Sequence, residues 1–213
     1  DRVLRQLMEK RGIEPNLRLD LVEVKPDSKE ALFARLDDND KPVEMKTFLY
    51  EMLHVCPPMM PVEALRHQAG NLADKDGYVT VDKGTLRHVK FDNVFALGDG
   101  SNLPTSKTAA AIASQSRVLR KNLTAVMNGK EPTEIYNGYS SCPLITGYKY
   151  CIMAEFDYDL QPIETLPIDQ AKERWIMGIM KKYMMAPIYW QMLRGYWEGP
   201  KYIRKLLHGF IFA

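Results

Sequence analysis

The first 55 residues change from a helical to an alternating spacing of apolar positions. Residues 2–11 carry apolar side chains at helical spacing and Gly12 follows them, so a helix that ends there is predicted. Alternation with a period of two then predicts three strands, at residues 17–24, 31–36 and 46–55. The run Asp-Asp-Asn-Asp at residues 37–40 is typical of a hairpin tip. We therefore expect a helix followed by a small strand-rich element.

Short apolar runs and one long helical pattern follow. Residues 77–82 predict a short strand, and the compact apolar run at residues 93–97 is typical of a buried parallel strand. Residues 108–127 predict one long helix, which Gly129 and Pro132 close. Residues 143–156 predict strands around a turn at Gly147. Together these elements indicate the α/β class.

The chain from Asp169 onward has a helical and aromatic pattern. Six side chains lie roughly on one helical face: Trp175, Ile176, Ile179, Met180, Tyr183 and Met184. Four residues are predicted to cut the rest into short pieces: Pro187, Gly195, Gly199 and Pro200. Eight basic and three acidic residues make this tail basic, and residues 210–212 add an apolar end. Such a segment suits a membrane interface, whereas a core helix with a solvated face is the alternative.

Composition excludes several functional classes. A net charge of +2 over 213 residues argues against a general nucleic-acid binder. No uninterrupted apolar run is long enough to span a bilayer. The four histidines are scattered without a zinc-ligand spacing, and the three cysteines form no CxxC pair, so no metal site is predicted. The chain begins at Asp1 inside a helical pattern, which suggests a fragment or a processed product.

A Gly-Asp pair at the end of the run at residues 93–97 is the first candidate site. A buried strand that ends in Gly98 and Asp99 would present a carboxylate where ligands bind open α/β sheets. The following Lys107, Thr108, Ala109 and Ala110 open a helix whose free N–H groups favour an anion or an electron-rich ring edge. An ordinary strand–loop–helix with an aspartate cap is the alternative.

The second candidate is Cys142, which lies among small polar residues and precedes Pro143. This neighbourhood suggests an exposed loop, where a thiolate could act as a nucleophile. A structural cysteine is the alternative from the residues alone. Cys56 and Cys151 are the competing candidates, and both are interpreted as structural; Cys151 lies in an apolar strand where a small hydrophobic residue is expected.

Several motifs together resemble one family. The apolar run with Gly98-Asp99 is similar to the second FAD-contacting motif of flavoproteins with two dinucleotide-binding domains. The narrower combinations resemble the sulfide:quinone oxidoreductases, of the mitochondrial type: residues 102–111 (NLPTSKTAAA), 54–59 (HVCPPM), 141–144 (SCPL), 155–157 (EFD) and 193–197 (LRGYW). The resemblance covers nearly the entire chain.

This resemblance implies the C-terminal part of a Rossmann-like flavoprotein with an amphipathic helical tail. Residues 1–90 would be the end of the second nucleotide-binding domain and a crossover. Residues 91–168 would return to the FAD-binding domain with the redox cysteine loop. Residues 169–213 would form a membrane-facing segment. The GxGxxG motif and the second redox cysteine of the family are not in this sequence and would lie upstream, so the chain alone is not expected to turn over sulfide.

The resemblance also implies an enzyme that passes electrons from hydrogen sulfide through FAD to ubiquinone, with a persulfide on a cysteine. Cys142 would be the catalytic cysteine, and Gly98, Asp99 and residues 107–110 would contact FAD. A small thiol or sulfite would accept the sulfur. The enzyme would lie peripherally on the mitochondrial inner membrane. Two alternatives stay open: a type II NADH dehydrogenase-like flavoprotein, which needs no Cys142, and a non-catalytic fragment or interaction module.

Overall fold

The computed structural model describes residues 2–68 and 70–211, without the side chains of residues 67, 68, 210 and 211. The chain divides into two compact units, residues 1–59 and 60–213. Helices and strands are mixed in them, as the predicted class requires, but both sheets are antiparallel. The apolar end predicted at residues 210–212 lies outside the residues whose side chains are described.

The first unit contains a helix and a three-stranded sheet, in agreement with the expected order. Helix α1 spans Arg2–Lys10, and the strands are β1 (Leu19–Lys25), β2 (Glu30–Leu36) and β3 (Pro42–Leu49) in the order β1-β2-β3. The hairpin tip at residues 37–40 is confirmed. There the Asp37 carboxylate accepts hydrogen bonds from the backbone N–H groups of Asn39 and Lys41, both at 2.9 Å. These bonds hold the pKa of Asp37 below its ordinary value.

The third strand begins earlier than the alternation predicted. It runs from Pro42 to Leu49, whereas residues 46–55 were expected. The short turn after β2 decides this, because Leu36 pairs directly with Pro42 and the register then continues to Leu49 opposite Glu30. Residues beyond Leu49 have no partner on β2, since β2 itself begins at Glu30.

The second unit is built around the long helix α3 (Ala109–Met127). A short helix α2 (Glu63–Gln68) precedes it, and the hairpin of β4 (Ser140–Gly147) and β5 (Tyr150–Phe156) follows. The predicted helix and the predicted turn near Gly147 are thereby confirmed. A main core surrounds α3 and contains Val79, Val81, Leu86, Leu103, Val118, Tyr136 and Tyr139.

The predicted parallel strand at residues 93–97 is wrong. Residues 94–97 are only half-buried, and Phe95 forms an isolated antiparallel bridge with Arg87. A parallel strand needs parallel neighbours and cover on both faces, and the described part of the chain offers neither to this segment. The strand expected at residues 77–82 is likewise reduced to bridges at Val79 and Val81.

The tail is more continuous than its proline suggested. Helix α4 (Trp175–Ile179) passes through a π-helical turn (Met180–Met184) into α5 (Met185–Leu193), and α6 (Lys201–Ile211) follows. Pro187 does not interrupt this run, because it lies just after the π-helical turn, where the regular i→i−4 hydrogen bonds are already displaced. The break comes instead at residues 194–200, where Gly195 and Gly199 have positive φ angles of 76° and 87°.

Candidate functional site

The Gly98–Gly100 turn presents Asp99 to solvent. It is a single 3-10 turn in which Asp99 is exposed and Gly98 is buried. Gly98 has a φ of 64°, and a Cβ at this position would come within 3.1 Å of Ile112. Its N–H donates to the Gln115 side chain at 2.7 Å, which attaches the turn to helix α3. The Asp99 carboxylate makes no hydrogen bond within the described part of the chain, so its oxygens are available to a ligand.

Lys107 lies on the same side as Asp99. Its ammonium donates to the Ser101 carbonyl oxygen at 2.7 Å and lies 4.7 Å from the centre of the Tyr78 ring. Partial burial lowers the pKa of Lys107, and the charges of Asp99 and Asp74 oppose that effect. The side chain is therefore held in place by the fold rather than extended into solvent.

The N-terminus of helix α3 completes this first group. Thr108 is the N-cap, with a φ of −126°, and its hydroxyl accepts from the N–H of Ala111 at 3.2 Å. The N–H groups of Ala109 and Ala110 precede the first intrahelical bonds, and their side chains are small. The structure thus brings an exposed carboxylate, a fixed ammonium and a helix N-terminus together on residues 98–110. This segment contains the six site residues predicted from the sequence: Gly98, Asp99, Lys107, Thr108, Ala109 and Ala110.

Cys142 lies in a strand, which corrects the expectation of an exposed loop. It is part of β4, faces Ala154 on β5 and is half-buried as a free thiol. Small polar residues and Pro143 favour loops, but pairing with the apolar strand β5 decides the conformation. Pro143 is tolerated because β4 has only one neighbouring strand, so a missing N–H can face outward.

A hydrogen bond links the strand of Cys142 to the first group. The Thr105 hydroxyl donates to the carbonyl oxygen of Gly138 at 3.0 Å. Gly138 has a φ of 85° and packs against Tyr158, so a side chain there would overlap the tyrosine. The loop that enters helix α3 and the residues that enter β4 are therefore fixed to each other, although the sequence separates them by more than thirty positions.

Sequence reasoning missed a buried carboxylate next to this strand. Glu155 on β5 is paired with Ser141 and is 6% exposed. Four donors surround it at 2.6–2.8 Å: the Tyr139 hydroxyl, the Thr165 N–H and hydroxyl, and the Gln170 amide. Burial and the nearby Glu155 raise the pKa of Tyr139, so its hydroxyl remains a donor. The available signal was a lone acid within the apolar strand Tyr150–Phe156.

The other two cysteines differ sharply. Cys151 is fully buried against Met153 and Met177, as expected for a structural residue, and burial raises the pKa of its thiol. Cys56 belongs to the first unit and is exposed, with its sulfur 3.2 Å from the Nε2 atom of His54. All three cysteines are free.

The tail exposes aromatic and aliphatic side chains. The predicted face from Trp175 to Met184 is largely exposed, while Met177 on the opposite side packs into the Cys151 cluster. Trp190 and Tyr196 are 60% and 80% exposed. Apolar surface of this extent on a protein usually marks a contact with a partner or a membrane. Among the helices described, none is long and apolar enough to cross a bilayer.

The chain is similar to known mitochondrial oxidoreductases. No family model matches the chain. Similar proteins include mitochondrial oxidoreductases from Mus musculus, Dictyostelium discoideum and Schizosaccharomyces pombe, with 50%, 48% and 40% identity over 96%, 92% and 90% of this chain. All three are named sulfide:quinone oxidoreductase, mitochondrial. The predicted resemblance to the mitochondrial sulfide:quinone oxidoreductases is therefore confirmed over nearly the whole of this chain.

The match is partial from the relatives' side. The chain spans slightly less than half of their length, 45%, 42% and 42% respectively, as expected for a C-terminal portion. A chain in the cryo-EM structure of the Tetrahymena thermophila mitochondrial ATP synthase is also similar. It has a TM-score of 0.78 and 28% identity, and the match covers 94% of this chain and 47% of that one. The same fold therefore also occurs within a large mitochondrial assembly.

Proposed function

We propose that this chain forms part of an enzyme that oxidises hydrogen sulfide and passes two electrons through FAD to ubiquinone, with Cys142 as the catalytic cysteine. The observation that carries the proposal is the half-buried free thiol of Cys142 on a strand tied to the group at residues 98–110. The identity of 40–50% to sulfide:quinone oxidoreductases supports it along nearly the whole chain.

The residues of the first group fit a flavin. The exposed Asp99 carboxylate could accept hydrogen bonds from the sugar-alcohol hydroxyls or lie near the phosphate side. Gly100 leaves open space, since nothing lies within 4 Å of a Cβ built there. Lys107 and the N–H groups at Thr108, Ala109 and Ala110 would face the electron-rich edge of the ring. When bound, FAD would supply a two-electron acceptor that can be reoxidised by quinone.

Cys142 would form one half of a two-cysteine centre. Sulfide would attack the sulfur–sulfur bond between Cys142 and a second cysteine. That second cysteine would lie outside this chain, in the portion of the enzyme that corresponds to the unmatched part of the relatives. The sulfur–sulfur bond breaks, one cysteine becomes a persulfide and the other leaves as a thiolate. A small thiol or sulfite would then accept the outer sulfur of the persulfide. The neighbouring carboxylate of Glu155 would keep β5, and with it the position of Cys142, fixed.

The exposed tail would place the protein on a membrane. Ubiquinone is apolar and resides in the bilayer, so an enzyme that reduces it must reach the bilayer surface. Aromatic side chains with basic neighbours suit that interface. Trp190 and Tyr189 stack edge to face at 5.8 Å, and Arg194 follows them on the same segment. We therefore propose a peripheral location on the mitochondrial inner membrane.

Replacement of Cys142 tests the catalytic part of the proposal. In the complete protein, Cys142→Ser should abolish sulfide-dependent quinone reduction while the flavin content stays unchanged. Cys56→Ser is the matched control, because it removes another accessible thiol, and it should retain activity. Full activity in Cys142→Ser would overturn the assignment. Asp99→Ala should lower the FAD occupancy read from visible absorbance, and unchanged occupancy would contradict the flavin site.

One observation favours a second candidate, a non-catalytic subunit. The similar chain in the Tetrahymena thermophila ATP synthase structure indicates that this fold also occurs inside an assembly. A chain with that role would bind no flavin in its complete form and would elute with a large complex from mitochondrial extracts. Stable flavin absorbance together with sulfide-dependent turnover would exclude it.

A further inference from the structure

A cavity of about 480 Å³ lies beneath helix α6, outside the group at residues 98–110. It is bounded by α3, by residues 135–139 and by α6. Five of its lining residues are basic or can become so: Arg117, Lys201, Arg204, Lys205 and His208. Two contacts make the cavity a feature of the fold. Arg117 donates to the Tyr202 hydroxyl at 3.3 Å, and Gly199 packs so closely on Ser114 that a side chain would overlap it.

Helix α6 has the reverse of the usual amphipathic arrangement. Surface helices normally turn their apolar stripe toward the protein. Here the residues that line the cavity are Lys201, Arg204, Lys205 and His208, which recur at helical spacing on one face. Ile203 and Leu206 are instead 42% and 58% exposed. The side of α6 that borders the cavity therefore carries cationic side chains, and these would attract an anion.

Two buried nitrogen atoms on this face lack a hydrogen-bond partner. Within the part of the chain that the structure describes, the Nε atom of Arg204 and the Nε2 atom of His208 are inaccessible and unpaired. A buried donor without a partner costs about 1–3 kcal/mol, and folded proteins almost always satisfy such atoms. The Nε–H of Arg204 is a donor in every case, so the lining of this cavity contains an unsatisfied donor on a cationic side chain.

Arg204 is held ready for an acceptor. Its guanidinium lies 4.9 Å from the centre of the Tyr139 ring, and its Nη2 atom donates to the Thr165 hydroxyl at 3.2 Å. The same nitrogen is 3.7 Å from Glu155. These contacts fix the group but leave the Nε atom unused. A fixed guanidinium loses little side-chain entropy when it binds an anion.

The acids around the cavity do not neutralise its cations. Glu134 pairs with Arg117 at 3.2 Å and with Lys121 at 2.7 Å. Glu198, the acid in the cavity lining, pairs with Arg120. Within the residues described, Lys201, Lys205 and His208 form no ion pair. Arg204 pairs with Glu155, and Lys201 and Lys205 therefore give the cavity an excess of positive charge.

We propose that this cavity binds an organic phosphate. A phosphate offers at least three acceptor oxygens, which match the several donors of Arg204, His208 and the two lysines. Val118, Ile135 and Tyr136 form an apolar wall, and the volume exceeds what an inorganic anion fills, so the ligand also has an apolar or ring-containing part. A phospholipid headgroup and a soluble phosphate ester share this chemistry. The inference does not rest on the proposed sulfide chemistry.

Nuclear magnetic resonance of the histidine rings tests the site directly. Inorganic phosphate, added to the protein at constant ionic strength, should shift the His208 signals saturably and leave those of His54 unchanged. The Lys201→Gln/Lys205→Gln double variant alters only exposed side chains, so its fold should persist. It should weaken binding at least tenfold, which is about 1.4 kcal/mol. Lys130→Gln/Lys172→Gln removes the same charge elsewhere and should bind as the unchanged chain does.

Vesicles distinguish the two sources of the phosphate. If phosphatidylcholine vesicles containing phosphatidic acid shift His208 and pure phosphatidylcholine vesicles do not, the ligand is a lipid headgroup. If only soluble phosphate shifts His208, the ligand is a soluble ester; both results support the site. The proposal is overturned if His208 does not respond to phosphate, if all histidines respond alike, or if the control double variant weakens binding equally.

Discussion

Replacement of Glu155 by glutamine should strongly destabilise the second unit. The change keeps the size of the side chain but removes the charge and exchanges one oxygen for an NH₂ group. Oε1 accepts from the Tyr139 and Thr165 hydroxyls, and Oε2 accepts from the Thr165 N–H and the Gln170 amide. An NH₂ group at Oε2 would face two groups that can only donate, the Thr165 N–H and the Gln170 amide, whereas at Oε1 it would face two hydroxyls, which can turn and accept. In the second arrangement the hydrogen bonds persist without the charge, and in either arrangement Arg204 loses its nearby carboxylate.

The magnitude follows from the lost charge. A hydrogen bond to a charged group contributes about 1.5–3 kcal/mol and a neutral one about 0.5–1.5 kcal/mol, so each of the bonds to this side chain is weakened. Breaking the buried charge pair with Arg204 costs about 3–5 kcal/mol. At 6% exposure water can replace little of this loss. Because native proteins are stable by only about 5–15 kcal/mol, a loss of about 3–5 kcal/mol would be a large fraction of the total.

Urea unfolding followed by tryptophan fluorescence measures this loss. All three tryptophans, Trp175, Trp190 and Trp197, belong to the second unit, so the signal reports on that unit. Glu131→Gln is the matched control, because the Glu131 side chain is 85% exposed in its ion pair with Arg87. It should cost less than about 1 kcal/mol.

A double-mutant cycle separates the network from general damage. In a Tyr139→Phe background one of the opposing donors is already gone, so Glu155→Gln should cost less than it does in the unchanged chain. If Glu155→Gln alone costs no more than the Glu131→Gln control, the carboxylate does not hold the network together and the reasoning is refuted.

Three further predictions concern two helical glycines, the reactivity of the cysteines and the titration of Asp82. Gly178→Ala should lower the free energy of unfolding by more than about 3 kcal/mol, because its Cβ would overlap a backbone carbonyl oxygen in the β4–β5 turn. Gly209→Ala has open space around it and should raise the free energy of unfolding by up to about 1 kcal/mol in the same urea assay. A thiol reagent should modify the exposed Cys56 first and the buried Cys151 last, since burial also raises the pKa of Cys151; equal rates in the folded chain would contradict its burial. The pKa of Asp82 is lowered, chiefly by a backbone N–H that donates at 2.7 Å, so the folded state binds the proton more weakly. Its contribution to stability is present above the unfolded pKa of about 4 and is lost as the pH falls through the folded value, and Asp82→Asn should flatten that acid limb of the unfolding curve.

Local sequence patterns were sufficient to predict an element wherever its own apolar spacing and its capping residues define it. Helix α3 was expected at residues 108–127 and spans Ala109–Met127, because Thr108 caps it and Gly129 ends it through residues adjacent in sequence. The first two strands followed from alternation, and the hairpin tip between β2 and β3 followed from Asp37, for the same reason. The motifs around Gly98, Asp99 and Cys142 also indicated the family resemblance from the sequence alone, and the comparisons confirm that resemblance.

Tertiary contacts decided the remaining features. The apolar run at residues 93–97 has the composition of a parallel strand, yet without parallel neighbours it only bridges to Arg87. Cys142 has loop-forming neighbours, yet pairing with β5 places it in a strand. The Glu155 network and the basic cavity under α6 each join residues that lie far apart along the chain, so local patterns do not show which of them meet. The sequence by itself determined helix α3, the first two strands and the family resemblance, and only the folded chain determined which buried charges meet and which polar atoms remain unpaired.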